Sequence, residues 1–332
     1  MRSIIGDISL SLWKLRFSLI GTVALIIGLS TLFFTVLMSL AGVDLLFMPF
    51  FVIAFNIVQW LIAPYMIDAM YRVKQVNPSE DPQLHQMVEQ LSQRSKIKTP
   101  KLMKAKMAIP NAFAYGSPLT GSKVAVTTGL LETLEPEEVE AVIGHELGHL
   151  KHHDVQVMMF VSILPAIFYY IGYSMLWSSM FSRRDRDSGG AAIIGLVSIA
   201  LYWILTLFTL YLSRIREYFA DRHSVSVVDD GSRKLSEGLA KIVNSTNRVK
   251  QTQRKTTGGG SSSFKALFIS DPDRAEVDAE ALAQLGPMSG DRKLVEQVLR
   301  RKITTFDRIM EVFSTHPNIV KRLKALQEIE QA

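Results

Sequence analysis

Pro136-Glu137-Glu138-Val139-Glu140-Ala141-Val142-Ile143-Gly144-His145-Glu146-Leu147-Gly148-His149-Leu150-Lys151 is the stretch on which the reading of this chain turns. Proline is favoured in the first turn of a helix, where its missing N–H removes no hydrogen bond, and Glu137 and Glu138 suit the positive end of the helix dipole. Val142, Ile143, Leu147 and Leu150 follow with helical spacing. His145 and His149 stand four residues apart, hence on one face about one turn from each other, and both imidazoles can reach a single ion. Glu146 projects beside them. In a hydrolytic zinc site with this spacing, the metal activates water and polarises the scissile carbonyl, while the glutamate takes the water proton and passes it to the leaving amine. With seven histidines in 332 residues, a chance match somewhere in the chain has a probability of roughly one in a hundred before helical context is required.

Outward from that helix, the chain is rich in apolar residues. Its hydrophobic content is 48%, high for a soluble protein but compatible with a sizeable aqueous part. No cysteine is present, which excludes a disulfide framework and a thiolate nucleophile and leaves His and carboxylate groups as metal ligands. The net charge of +6 is modest and the basic residues are spread out or gathered beside apolar runs, a pattern suited to anionic lipid and not to nucleic acid.

Four stretches are long and apolar enough to span a bilayer, which takes about 20 helical residues. They are roughly Phe17–Leu40, Leu45–Ile67, Val155–Phe181 and Ala191–Leu212. The first run is too long for the core of a signal peptide and reads as a retained anchor. The first pair is joined by Ala41–Asp44, the second by Ser182–Gly190, a polar turn closed by two glycines. The division is therefore 1–67, a membrane hairpin; 68–154, a soluble part with the histidine helix; 155–213, a second hairpin; and 214–332, a second soluble part. Lys and Arg resist transfer across the membrane. Arg2, Lys14, Arg16, Arg72 and Lys74 place the N-terminus and residues 68–154 in the cytoplasm, whereas the three arginines of the second turn argue weakly the other way.

In the first soluble part, Asp81–Ser95 has helical spacing, and Lys101–Ala108 and Lys123–Thr127 read as strands, two or three in all. After the fourth span, Ser232–Val249 reads as a helix, Lys250–Ser263 as a flexible loop and Lys293–Gln331 as charged helix.

A catalytic zinc needs a third protein ligand and an open position. His152, His153, His223, His316 and the acidic residues are candidates. Topology favours Glu217: the helix of His145 and His149 runs almost directly into the third span, the site should lie near the membrane surface, and Glu217 follows the fourth span back to the same side. Asp221, four residues on, can reach back to orient a ligand imidazole. Two histidines and one carboxylate favour zinc over magnesium or calcium.

These residues, together with Pro110-Asn111-Ala112-Phe113-Ala114-Tyr115-Gly116 and Thr315-His316-Pro317 followed by Arg322, resemble the HtpX-type membrane zinc metalloproteases, related to the CAAX prenyl endopeptidases. The resemblance covers nearly the whole chain. It implies an α+β membrane protein, mainly α-helical, with about four transmembrane helices and a cytoplasmic gluzincin-like domain containing a small β-sheet. It implies one zinc on His145, His149 and Glu217, Glu146 as general base, and Asn111–Tyr115 as an edge strand for extended substrate. His316 and Arg322 would fold over the site and stabilise the oxyanion. The implied role is quality control of membrane proteins in the plasma or inner membrane, with polypeptide substrates, a lipid bilayer and no nucleic acid as partners. Tyr115 stands where the family usually has threonine or serine, and 256–263 reads as an insertion. A CAAX-type processing enzyme shares the chemistry but would call for a larger membrane chamber. A scaffold or transporter would place polar groups at mid-bilayer, where only Asn56 and Gln59 offer themselves, as helix-packing groups.

Overall fold

The computed structural model describes residues 47–181, 188–257 and 291–331. The expected first span and its turn lie outside them. The described elements are α1 (Met48–Met70), β1 (Val73–Gln75), α2 (Pro82–Ser95), β2 (Lys101–Ala105), β3 (Ala112–Ser117), β4 (Gly121–Thr127), α3 (Thr128–Thr133), α4 (Pro136–Lys151), α5 (Asp154–Phe181), α6 (Ser188–Val227), α7 (Gly231–Thr257), α8 (Asp291–Arg300), α9 (Thr305–Val312) and α10 (Ile319–Gln331). The chain is thus mostly helical with a small mixed sheet. The described residues divide into two compact units, those within Met1–Asn56 and Val161–Thr206, and those within Ile57–Phe160 and Leu207–Ala332.

Among the described residues three helices are long and apolar enough to cross a membrane, Pro49–Met70, Asp154–Met180 and Gly189–Val227. In the first unit α5 and α6 approach closely through glycine. A Cβ at Gly172 would stand 3.0 Å from the Gly195 carbonyl oxygen, and one at Gly195 would stand 2.8 Å from Leu176 Cγ. Small residues at such crossings let helix backbones pack without a hydrophobic driving force in lipid. Tyr169 meets Tyr202 edge to face across the same pair, at 5.2 Å between ring centroids. Ile193, Leu196 and Val197 are exposed on α6, as a lipid-facing surface requires. Gly189 and Gly190, expected to close a turn, instead lie in the first turn of α6, because nothing in the following apolar run stops the helix from starting earlier. At 40 residues α6 is about 60 Å long, twice the hydrocarbon thickness of about 30 Å, long enough to span a bilayer and continue beyond it.

The second unit is built on a four-stranded sheet in the order β1-β2-β4-β3. β2 and β4 are parallel, whereas β1–β2 and β3–β4 are antiparallel. Alternation along the strands makes two apolar faces. Leu102, Ala112, Val124 and Val126 join α2, α4, α7 and α10 in the main core, with Leu91, Ile143, Leu239 and Leu323 among the buried side chains. Met103, Phe113, Tyr115 and Ala125 form a second cluster with Val73 and Ala105. The sheet has one strand more than the two or three expected, because β1 is only three residues long, too short to show alternation. The expected loop beginning at Lys250 is helical to Thr257, since that polar run contains neither glycine nor proline to stop α7.

Candidate metal centre

α4 begins as expected at Pro136, and the Glu138 carboxylate accepts the Glu135 N–H at 2.8 Å, closing the first turn. Glu138 also pairs at 2.8 Å with Lys241 on α7, which fixes the register of the helix. The later turns lie against the C-terminal part of α6. A Cβ at Gly148 would stand 3.0 Å from Ala220 Cα, and one at Gly144 would stand 3.1 Å from Ser224 Oγ. Ser224 Oγ donates to the Ala141 carbonyl at 2.6 Å. Two glycines, each directly before one of the two histidines, therefore let a second helix approach closely enough for its carboxylates to reach the imidazoles.

His145, His149 and Glu217 come together, their ligand atoms all within 4.8 Å of one another. The two Nε2 atoms are 3.2 Å apart. Glu217 Oε2 is 3.7 Å from His145 Nε2, and Glu217 Oε1 is 3.5 Å from His149 Nε2. Each outer nitrogen faces a carboxylate: Asp221 Oδ1 lies 2.9 Å from His145 Nδ1, and Asp154 Oδ2 lies 2.6 Å from His149 Nδ1. A carboxylate at Nδ1 holds the proton there and turns the lone pair of Nε2 inward. Two such lone pairs beside an ionised carboxylate repel unless a cation lies among them. Nitrogens held at about 2.0–2.1 Å in a tetrahedral site are about 3.3–3.4 Å apart, so the donor set fits a divalent metal.

Glu146 is buried, and its carboxylate accepts the backbone N–H of Ala114 on β3. Burial is the largest influence on its carboxyl and pushes it above the ordinary range, against the pull of His149 and His145. That strand is an outer one. The Thr127 N–H donates to the Asn111 carbonyl at 2.9 Å, so the pairing alternates to leave the N–H and C=O groups of Ala112, Ala114 and Gly116 turned away from β4. The side chains of Phe113 and Tyr115 are buried in the second apolar cluster, and the Tyr115 hydroxyl donates to Asp68 Oδ1 at 2.6 Å. Burial, then Asp68, raises the Tyr115 phenol above its ordinary pKa. What the strand presents at its edge is therefore backbone.

His316 and Arg322 both reach the centre. His316 Nε2 lies 3.7 Å from Glu217 Oε1, and its Nδ1 is 2.9 Å from Thr315 Oγ1. Arg322 is fully buried. Its Nε donates to Asp221 Oδ2 at 2.9 Å, its Nη2 to Asp221 Oδ1 at 2.5 Å, and its Nη1 lies 3.1 Å from Glu217 Oε2. Burial disfavours the cation, but Asp221 and Glu217 outweigh it and hold the guanidinium above its ordinary pKa. Of the other candidate ligands, His152 and His153 are exposed, and His223 Nε2 engages Ser95 Oγ at 2.9 Å.

Asp154 and Arg216 were not singled out in the sequence. Asp154 pairs with Arg216 as well as with His149. It reaches back because His153 takes a left-handed conformation, φ 54°, breaking α4 from α5. An aspartate directly after a paired histidine at the head of an apolar run was the available signal.

Comparison with known proteins gives a consistent result. The chain matches the family model described as peptidase family M48 over residues 78–330. It is 35% identical over 326 residues to a "Protease HtpX homolog" of Thermoplasma acidophilum, covering 97% of this chain and 95% of that one. It is 37% identical to a protein of the same description from Methanothermobacter thermautotrophicus, covering 75% of this chain and 94% of that one. The crystal structure of S. mikatae Ste24p shares the fold, with a TM-score of 0.54 at 16% identity, covering 96% of this chain and 67% of that one. A paired-histidine helix, a converging glutamate and long apolar helices accompany a family match over most of the chain: the protein is a membrane metalloprotease belonging to peptidase family M48.

Proposed function

We propose that this protein is a zinc-dependent endopeptidase that cuts misfolded or damaged membrane proteins at the cytoplasmic face of the cell's plasma or inner membrane. The observation that carries the reading is the gathering of His145, His149 and Glu217 beside Glu146, whose carboxylate is bonded to Ala114 on the outer strand. In this reading His145, His149 and Glu217 hold one zinc, which when bound supplies a Lewis acid for the scissile carbonyl and an acidified water. Glu146 accepts the proton of the attacking water and delivers it to the leaving nitrogen. The outward backbone of Ala112 and Gly116 pairs with an extended substrate, a mode of binding that tolerates many sequences and suits unfolded segments. His316 is placed to donate to the developing oxyanion, whereas Arg322 acts as a positioning residue that keeps Glu217 and Asp221 ionised and aimed at the ligand set.

The proposed topology has four spans, at 17–40 and along α1, α5 and α6. The segment divisions stay as the sequence draws them, 1–67, 68–154, 155–213 and 214–332. Absence of Lys and Arg from the first turn and their presence on both sides of it support the cytoplasmic orientation.

Stripping the detergent-solubilised protein with a chelator is expected to reduce cleavage of an unfolded protein such as casein to background. About one equivalent of zinc should restore it, and magnesium should not. Undiminished cleavage by protein shown to be metal-free would overturn the proposal.

A further inference from the structure

The short helix α9 presents an unusual surface. Its inward side is occupied by Met310, Asp307 and Glu311, all buried. Asp307 accepts from Arg301 at 3.0 Å and from the Thr304 N–H at 2.9 Å. Glu311 accepts from the Asn318 N–H at 3.0 Å and pairs with Lys321. Its outward side carries Phe306, Ile309 and Val312, continued by Phe313, which are 40%, 55%, 42% and 50% exposed. Three large apolar groups exposed along so short a helix, with a fourth directly after it, form a patch that water does not favour.

The place of this patch indicates what covers it. Arg214 is the first charged residue after the apolar run that begins at Ala191, so by sequence it marks where α6 leaves the hydrocarbon. Its Nη1 donates to the Val312 carbonyl at 3.1 Å and to the Ser314 carbonyl at 2.8 Å. Its guanidinium also lies 5.7 Å from the ring centroid of Tyr211. Tyr211 and Phe208, one and two turns earlier, are exposed apolar groups of the spanning helix. The C-terminal end of α9 is therefore tied to the residue at which α6 emerges. Lys302 and Arg308 are exposed, whereas both carboxylates of residues 300–313 are buried, so the outward side is apolar and cationic.

We infer that α9 lies in the membrane interface, with Phe306, Ile309, Val312 and Phe313 among the lipid chains just below the headgroups and Lys302 and Arg308 facing anionic phosphates. An amphipathic helix with an apolar face and flanking cations is the recognised form of such an anchor. The contact holds in place the segment that follows directly, Ser314-Thr315-His316, by which His316 comes within 3.7 Å of Glu217.

The full chain has no cysteine, so Ile309→Cys can carry a single fluorescent label, with Glu89→Cys, an exposed position on α2, as the comparison. Both proteins are reconstituted into vesicles of mixed zwitterionic and anionic phospholipid and quenched in turn by aqueous iodide and by lipid bearing a nitroxide near the headgroup. The label at position 309 is expected to be quenched by the lipid nitroxide and about threefold or more less by iodide than the label at position 89. Equal iodide quenching at the two positions without lipid quenching overturns the inference. Protection from both quenchers at position 309 also overturns it, by showing that protein covers the face.

Discussion

Glu146→Gln is expected to abolish proteolysis while leaving the metal site intact. Glutamine matches the volume of glutamate, and its carbonyl can still accept the Ala114 N–H that the buried carboxylate accepts now, so neither a cavity nor an unpaired backbone donor results. What disappears is the group that takes the proton of water and returns it to the amine. General acid–base groups typically contribute about 10²–10⁴-fold, so cleavage should fall about a thousandfold or more. Casein cleavage and zinc content, measured on the same preparation, check this: activity within about tenfold of wild type at full zinc content would remove Glu146 from the chemistry.

Arg322→Ala should produce the largest loss of stability. The guanidinium is buried and lies between Asp221 and Glu217, with contacts of 2.5–3.1 Å. Its removal leaves two buried carboxylates, Asp221 and Glu217, without the guanidinium that pairs with both. Breaking a buried pair from one side is typically destabilising by about 3–5 kcal/mol. In a folded unit of this size that lowers the apparent Tm of the metal-free protein by about 10 °C. Arg322→Lys should recover only part of the loss, because one ammonium cannot serve two carboxylates with a planar fork. Thermal unfolding in detergent reads the effect, and an unchanged Tm for Arg322→Ala would mean that the guanidinium does not carry the charge of the two acids.

The parts of the centre that were legible in the sequence follow from local spacing. His145, Glu146 and His149 declare a helical face through their offsets, and Glu217 with Asp221 repeats the four-residue interval on the helix that topology returns to the same place. What was not legible depends on backbone conformation or on distant pairing. Asp154 stands in the sequence at the head of an apolar run, but its reach back to His149 depends on the left-handed backbone of His153, a conformation that histidine does not announce. Arg322 stands 101 residues from Asp221, and the resemblance assigned it to the oxyanion, whereas its nitrogens face Asp221 and Glu217. The Gly144-x-x-x-Gly148 spacing was in plain view, and a small-residue stripe of that period is a signal for close helix approach. Phe113 looked as much like core as like a substrate contact, and strand alternation puts it in the core with Tyr115.

A metal held by His145, His149 and Glu217 underlies every step of the proposed chemistry, and zinc content tests it most directly. Zinc per chain would be measured by elemental analysis in Glu146→Gln protein, which should not degrade itself, with and without the additional change Glu217→Ala. About one zinc per chain is expected for Glu146→Gln, falling well below stoichiometry once Glu217 is removed. Full zinc content in the doubly substituted protein, or none in either, would contradict the assignment.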